Sequence, residues 1–341
     1  MNAPIRVSVV VPTFNRCDSL LVTLNGLIRQ TNAPDFEAIV VSDGSTDGTA
    51  DMVRAYDAPF PLQFFEQANA GPARARNQGV SEARGEIIVF LDDDVEPYTE
   101  YVARHAAHHQ ANPNLAVVGP MLPDPDRRRA EPVWIAWEHA MLEKQYAAWR
   151  TGEWTGVGAH HFYSGNASVR REHLVAVGGF NETFGRQEDV ELAVRLETER
   201  GIGFRFDPDA RGTHRPSRTF ESWLKVPFAY GSLDVERAKS DGGRTWERVR
   251  HGYHARNRAT RKLADLCLTK PHLSRLLRGN LLRLAQALYA AKRNAPALAA
   301  LSAIYNTHYL EGAASALGSP DALRQVLFAP ESETQAERVT S

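Results

Sequence analysis

Along the first part of the chain, short apolar runs alternate with stretches of helical period. Val7 to Pro12 is almost continuously apolar, as a strand buried on both faces must be. Leu20, Leu21, Leu24, Leu27 and Ile28 then recur at helical spacing, with Asp18 or Ser19 available as a cap. Phe36 to Ser42, Leu62 to Glu66 and Ile87 to Leu91 read as further strands. Between them, Thr49 to Tyr56 reads as a short helix. A second helix opens at Gly71-Pro72, runs to about Ala83 and stops at Gly85. This alternation predicts an α/β domain with a Rossmann-like, mostly parallel sheet flanked by helices.

The middle is less regular. Tyr98 to Gln110 reads as a helix, Ala116 to Met121 as a strand and Val133 to Trp149 as an aromatic-rich helix. A Gly-rich loop, Thr151 to Gly158, follows. Ser168 to Arg170 reads as a short strand and Asp189 to Arg200 as an amphipathic helix. Phe204 to Phe206 and Ala210 to Thr213 read as short strands. Beyond about Thr219 helical patterns dominate, as in Leu273, Leu276, Leu277, Leu281, Leu284 and Leu288. Glu331 to Ser341 reads as a disordered tail.

Composition adds few constraints. The 341 residues, 43% hydrophobic and 24% charged, suit a globular protein of one large domain with an appended region, or of two domains. No apolar run approaches the roughly 18 residues needed to span a bilayer, and the N-terminus lacks a signal-peptide core. The expected location is therefore the cytoplasm. Two cysteines, Cys17 and Cys267, suggest neither a disulfide framework nor a zinc site. Charge is uneven. Arg237 to Arg293 holds 15 Lys/Arg against 3 Asp/Glu, leaving 25 basic and 38 acidic residues elsewhere. Such a stretch suits an anionic partner such as a lipid surface, a lipid-linked phosphate or an acidic glycan. It equally suits a solvated helical face. Few aromatics interleave with its basic residues, so no nucleic acid is expected.

In an open α/β sheet, ligands bind beyond the carboxyl ends of the strands. Three polar turns fall there: Pro12-Thr13-Phe14-Asn15, Ser42-Asp43-Gly44-Ser45 and Asp92-Asp93-Asp94. No G-x-G-x-x-G follows the first strand and no G-x-x-x-x-G-K-[ST] occurs, so neither a dinucleotide site nor a P-loop is supported. Adjacent carboxylates repel unless a cation or strong hydrogen bonds hold them. An oxygen-rich cluster suits Mg²⁺ or Mn²⁺, which then binds a diphosphate.

Several blocks occur in a fixed order. They are Val9 to Arg16, Val41 to Asp47, Asn69 to Asn77, Phe90 to Asp94, Gly165 to Arg170, Gly178 to Glu182 and Glu188 to Leu192. Together they resemble family 2 glycosyltransferases over roughly residues 5 to 215. The resemblance implies a GT-A fold and an inverting transfer of sugar from a nucleotide diphosphate sugar, most often a UDP-sugar, to a hydroxyl acceptor. It implies a catalytic domain over 1–218, with a nucleotide-sugar half to about 122 and an acceptor half over about 123–218. A helical C-terminal region, 219–330, would follow, basic between 237 and 293. By the same resemblance, Pro12, Thr13, Phe14, Asn15, Asp43, Asn69, Gly71, Arg76, Asp92, Asp93 and Asn166 would bind the donor. Asp94, Asp92 and His214 would hold the divalent metal, Mn²⁺ or Mg²⁺. Asp189 would be the general base, with Glu188 next in line.

Each element also has an ordinary structural role. Glu188-Asp189 suits a helix N-terminus, where the dipole would favour the ionised form and lower the basicity of Asp189. Asp43-Gly44-Ser45 suits a plain turn, and His214 a satisfied core histidine. His105, His108 and His109 are expected on a wet helix face. His160 and His161 sit in a loop without assigned roles. Trp134, Trp137, Tyr146, Trp149 and Trp154 suit either sugar stacking or helix packing. A nucleotidyltransferase of similar fold and a non-catalytic nucleotide-sugar-binding protein are the competing functions. The partners implied are a nucleotide-sugar donor, a hydroxyl acceptor (glycan, lipid-linked or small molecule) and an anionic membrane touched peripherally on its inner face.

Overall fold

The computed structural model describes residues 5–127, 130–154, 156–240, 243–256 and 258–329; the expected tail, 331–341, lies outside them. In chain order the elements begin β1 (Val7–Thr13), α1 (Cys17–Ile28), β2 (Phe36–Ser42), α2 (Thr49–Ala55), β3 (Leu62–Glu66), α3 (Pro72–Glu82) and β4 (Ile87–Leu91). Next come β5 (Val95–Pro97), α4 (Tyr101–Ala111), β6 (Leu115–Val118), β7 (Met121–Pro123) and α5 (Val133–Thr151). A single 3-10 turn at Ala159–His161 leads to β8 (Asn166–Arg170), α6 (Arg171–Ala176), α7 (Glu188–Arg200), β9 (Gly203–Phe206) and β10 (Gly212–His214). The remainder is helical: α8 (Phe220–Ser240), α9 (Arg244–His254), α10 (Arg258–Thr269), α11 (Pro271–Ala290), α12 (Asn294–Ala316) and α13 (Pro320–Phe328).

A seven-stranded sheet runs in the order β3-β2-β1-β4-β8-β6-β9. All its pairings are parallel except those of β8, which lies antiparallel between β4 and β6. Val7, Val9, Val10 and Val11 are wholly buried, because both faces of β1 are covered. One layer packs Val9, Val11, Leu20, Leu24 and Tyr101, and the other Val10, Phe90, Phe180 and Leu192. A smaller sheet, β5-β10-β7, stands apart from this one and sets His214 opposite Val95. Its strands are three residues long, too short to show an alternating pattern.

Two local expectations are corrected. The first helix starts at Cys17 with Arg16 at its N-cap and no side-chain cap, so neither Asp18 nor Ser19 caps it. His105 and His109 are wholly buried rather than wet. They share the Ser168 hydroxyl at 2.8 Å, and His105 Nε2 lies 3.0 Å from the Asn166 side-chain oxygen. Burial lowers their pKa values to about 4 and about 3, so both stay neutral.

By contacts the chain forms two compact units. One comprises 1–130 and 139–217, the other 131–138 and 218–341. Residues 131–138, expected with the acceptor half, therefore cluster with the C-terminal helices. The reason is aromatic packing, in which Trp137 meets Trp223 edge-on and stacks on Tyr305. Within this second unit α8 crosses α12 closely. A Cβ at Gly231 would strike the Tyr309 carbonyl, and one at Gly312 the Phe228 carbonyl. Among the described residues no helix is long and apolar enough to cross a membrane.

Glu37, buried in β2, is an unexpected charge among apolar neighbours. It accepts from the Ser8 hydroxyl at 2.7 Å, the Arg84 amide at 2.8 Å, Arg84 Nε at 2.7 Å and Gln63 Nε2 at 3.0 Å. Burial would raise its pKa, but the Ser8 and Arg84 bonds hold it below the ordinary carboxylate range. Glu37→Gln mismatches these donors and is expected to cost about 1–3 kcal/mol in urea unfolding near neutral pH. Because the folded pKa is lowered, this contribution is lost as pH falls through that lowered value. The variant and the parent should therefore converge in acid.

Candidate functional site

The parallel register places the ends of β1, β2 and β4 side by side. Thr13 lies opposite Ser42, and the Asp43 amide donates to the Thr13 carbonyl at 2.9 Å. Asn15 has a left-handed backbone (φ 51°), and its side-chain oxygen accepts from the Thr46 amide at 2.7 Å. The Asp43 carboxylate accepts from Gln67 Nε2 at 2.7 Å and from the amides of Ala70 and Gly71 at 2.8 Å each. Asn69 donates to the Asp43 carbonyl at 3.0 Å. Gly71 has φ +96°, a conformation that suits glycine and starts α3 beneath Pro72.

The three aspartates beyond β4 point to different partners. Asp92 Oδ1 accepts from Arg76 Nη2 at 2.9 Å, and Gly165 leaves it room, since a Cβ there would meet Asp92 Oδ2 at 2.6 Å. Asp93 accepts from the Thr13 hydroxyl at 2.7 Å and from Arg16 Nη1 at 2.9 Å. Asp94 Oδ2 accepts from the same Arg16 nitrogen at 2.6 Å, while its Oδ1 faces His214 Nε2 at 3.6 Å. Burial drives Asp93 up to about 7 against the pull of Arg16, with Asp94 adding like-charge repulsion.

Arg76 reaches a second acid. Its Nη1 donates to Glu188 Oε1 at 3.1 Å at the start of α7. Glu188 is followed by Asp189, whose Oδ1 accepts from the Val190 amide at 2.8 Å. Burial, then repulsion from Glu188, raises the Asp189 pKa to about 6, although Arg76 opposes this. The helix-dipole expectation is thereby reversed. Desolvation and a neighbouring carboxylate outweigh the helix N-terminus, and Asp189 is a better base than its position in the sequence suggests.

Residues 8–177 match the model described as Glycosyl transferase family 2. The chain belongs to that family. The matched relatives include a validoxylamine A glucosyltransferase of Streptomyces hygroscopicus subsp. limoneus, 35% identical over 242 residues, covering 63% of this chain and 53% of that one. They also include the uncharacterized glycosyltransferase YfnE of Bacillus subtilis, 28% identical over 256 residues, covering 62% of this chain and 64% of that one. The matches thus span between 53% and 64% of these relatives' lengths. Among solved structures, S. aureus TarS 1-349 in complex with UDP aligns with a TM-score of 0.52 at 18% identity over 92% of each chain. The same protein in complex with UDP-GlcNAc aligns at 0.51 and 18%, over 92% of this chain and 93% of that one. This likeness shows the fold, which is the GT-A type.

Within this family 2 chain, several sequence-based expectations change. Asn166 is wholly buried, and its amide donates to the carbonyls of Pro120 and Ala210, at 3.1 and 2.8 Å. Its oxygen faces His105, so both ends of the side-chain amide are taken up by protein partners. Thr13 and Asp93 are buried and bonded to each other, and Pro12 is buried; Phe14, at 47%, and Asn15 are exposed. Of the three expected metal residues, Asp94 faces His214, while Asp92 Oδ1 is bonded to Arg76. No group of three His, Cys, Asp or Glu poised for a metal occurs among the described residues. Of the α5 aromatics, Tyr146 stacks on Phe206 and Trp149 packs beside it, a packing role.

Sequence reasoning passed over Arg16 and Gln67. The signal for Arg16 was present: a cation directly follows a strand-end motif on a rim carrying three adjacent aspartates.

The Glu188 charge is one cause of the raised Asp189 pKa. Glu188→Gln removes it, so Asp189 should lose its proton at lower pH. The acid limb of any Asp189-dependent pH profile, centred near pH 6 in the parent, is expected to move down. A limb that stays in place would show that Glu188 does not set this basicity.

Proposed function

We propose that this protein is a metal-dependent inverting glycosyltransferase, moving a sugar from a nucleotide diphosphate sugar, a UDP-sugar first among candidates, to a hydroxyl acceptor. The observation that carries the reading is a chain of contacts. Arg76 joins Asp92 of the acidic turn to Glu188, next to Asp189, while Asp94 of the same turn faces His214. The acids of the nucleotide side and the base of the acceptor side are thus wired to one rim.

Inversion needs one direct attack by an acceptor hydroxyl opposite the leaving group, with one carboxylate to take its proton. Asp189 suits this role, since a pKa of about 6 leaves it ionised near neutrality yet basic enough to accept a proton. Arg76 holds Glu188 and steadies the neighbouring Asp189. Phe14 is exposed where a base could lie, and Asp43, braced by three donors, shapes the floor beside it. Asn69, Gly71 and Asp92 border the same space. By analogy with glycoside hydrolysis, the sugar passes through an oxocarbenium-like state.

The residues fit a divalent metal of the kind that takes few protein ligands. Mg²⁺ and similar ions use one or two side chains and fill their other positions with substrate phosphate and water. Asp94 and His214 supply a carboxylate and an imidazole at adjoining strand ends, His214 opposite Val95 and Asp94 immediately before it. When bound, the metal would neutralise charge developing on the leaving diphosphate. Mn²⁺ and Mg²⁺ both satisfy this chemistry.

A nucleotidyltransferase, which releases pyrophosphate, has no evident use for Asp189. A binding protein without turnover has no use for a base of raised pKa.

The basic C-terminal stretch supports a second part of the reading, peripheral contact with an anionic membrane or a lipid-linked acceptor. Helix α11 contains no Asp or Glu, and it exposes Leu276 (64%) and Leu284 (50%) beside the exposed Arg275 and Arg283. Leu276 and Arg283, seven residues apart, share one side of the helix, and such a mixture of apolar and basic side chains suits an interfacial helix.

Asp189→Asn is expected to lower the transfer rate by roughly 10² to 10⁴ fold while donor binding, read by thermal shift with UDP-, GDP- and dTDP-sugars, stays near the parent. Equal loss of donor binding would remove Asp189 as the base. Arg275→Ala with Arg283→Ala should weaken flotation with anionic vesicles by about 30-fold, at about 1 kcal/mol per charge. Flotation indifferent to anionic lipid content would remove the membrane contact.

A further inference from the structure

The proposed metal position has a protein cation beside it. Asp93 and Asp94 are 5% and 6% exposed, and one nitrogen, Arg16 Nη1, bonds to both, at 2.9 and 2.6 Å. The Asp94 oxygen it takes is Oδ2; the other, Oδ1, faces His214. The Arg16 side chain is about one-third exposed, at 32%, whereas the two carboxylates it holds are buried. Asp93 would keep its bond from the Thr13 hydroxyl without it. Asp94 would keep His214 beside it, and the Asp94 carbonyl is anchored separately by the Arg215 amide at 2.8 Å. The carboxylate pair is therefore built so that the guanidinium can depart without the turn losing its other supports.

We infer that Arg16 and a divalent cation compete for the Asp93–Asp94 pair, so that metal entry requires the guanidinium to leave these carboxylates. This rests on the metal-dependent reading above and adds a gate to it. Two like charges on one carboxylate, in a partly buried site, repel strongly, and a carboxylate oxygen committed to a guanidinium is a poorer metal ligand. Part of the metal's binding energy is then spent on displacing Arg16, which weakens its apparent affinity. A ligand that supplies diphosphate oxygens to the metal offsets that loss, so metal and nucleotide should bind with positive coupling. Asp93 and Asp94 in turn avoid facing each other as two bare charges before the metal arrives.

The test is Mn²⁺ binding, read from the electron paramagnetic resonance of free Mn²⁺, with and without UDP. Arg16→Met is expected to bind Mn²⁺ at least about tenfold tighter than the parent without UDP. It should show weaker coupling to UDP, and Arg16→Lys should fall between. Without metal, Arg16→Met should melt below the parent, and Mn²⁺ should restore more of its stability. Unchanged or weaker Mn²⁺ binding by Arg16→Met, in a protein whose parent binds Mn²⁺ with UDP, overturns the competition and leaves the metal-dependent reading standing. A parent that fails to bind Mn²⁺ even with UDP overturns that reading, and the competition with it. Should Arg16→Met not fold, the same question is answered on the parent chain. The Arg16 side-chain nitrogen resonance, assigned with Arg16→Lys, must shift on Mg²⁺ titration, and a resonance that does not move overturns the proposal.

Discussion

Carboxylates crowded on a partly buried rim must be neutralised, and in this chain two arginines do it. Asp92, Asp93, Asp94 and Glu188 come from two separate parts of the sequence, and Arg16 and Arg76 tie them into one group. Burial, with repulsion from Asp94 and Asp92, pushes Asp93 up to about 7 even against the pull of Arg16. The sheet order exists in service of this rim. Parallel β1 and β4 bring Thr13 to Asp93, and β2 brings Asp43 beside Thr13. The short β5–β10 pair then delivers His214 to Asp94.

Much of the fold was legible because its strands are buried on both faces. Such strands must be continuous apolar runs, and β1, β2 and β4 appear as such without reference to anything distant. What escaped was decided by long-range pairing. Three-residue strands carry no period, so the small sheet holding His214 shows only in three dimensions. The same holds for His105 and His109, whose helical spacing is compatible with a wet face or a buried one. Only Ser168 and Asn166, far along the chain, decide between them. Residues 131–138 continue smoothly into α5, yet Trp137 finds its partners more than eighty residues on, at Trp223 and Tyr305.

The site was legible at the level of motifs and less so at the level of individual roles. Strand-end position marked Asp43 and the aspartate triplet as neighbours of one rim, and the family resemblance added Asp189. Position could not say which way each side chain turns: the Asn166 amide is taken by the Pro120 and Ala210 carbonyls, and Asp93 accepts from Thr13 and Arg16. Nor could it show which force acts on Asp189. A helix N-terminus is visible in sequence, whereas desolvation and the proximity of Glu188 emerge on folding and reverse the sign of the shift.

The central claim is that these convergent acids serve the departure of a nucleoside diphosphate and a single displacement at the sugar. It is tested most directly by following a nucleotide-sugar, a divalent cation and an acceptor together by phosphorus and proton NMR. The account predicts nucleoside diphosphate appearing in step with a new glycoside whose anomeric configuration is opposite to that of the donor. Pyrophosphate as the phosphorus product, or a glycoside formed with retention, would contradict it.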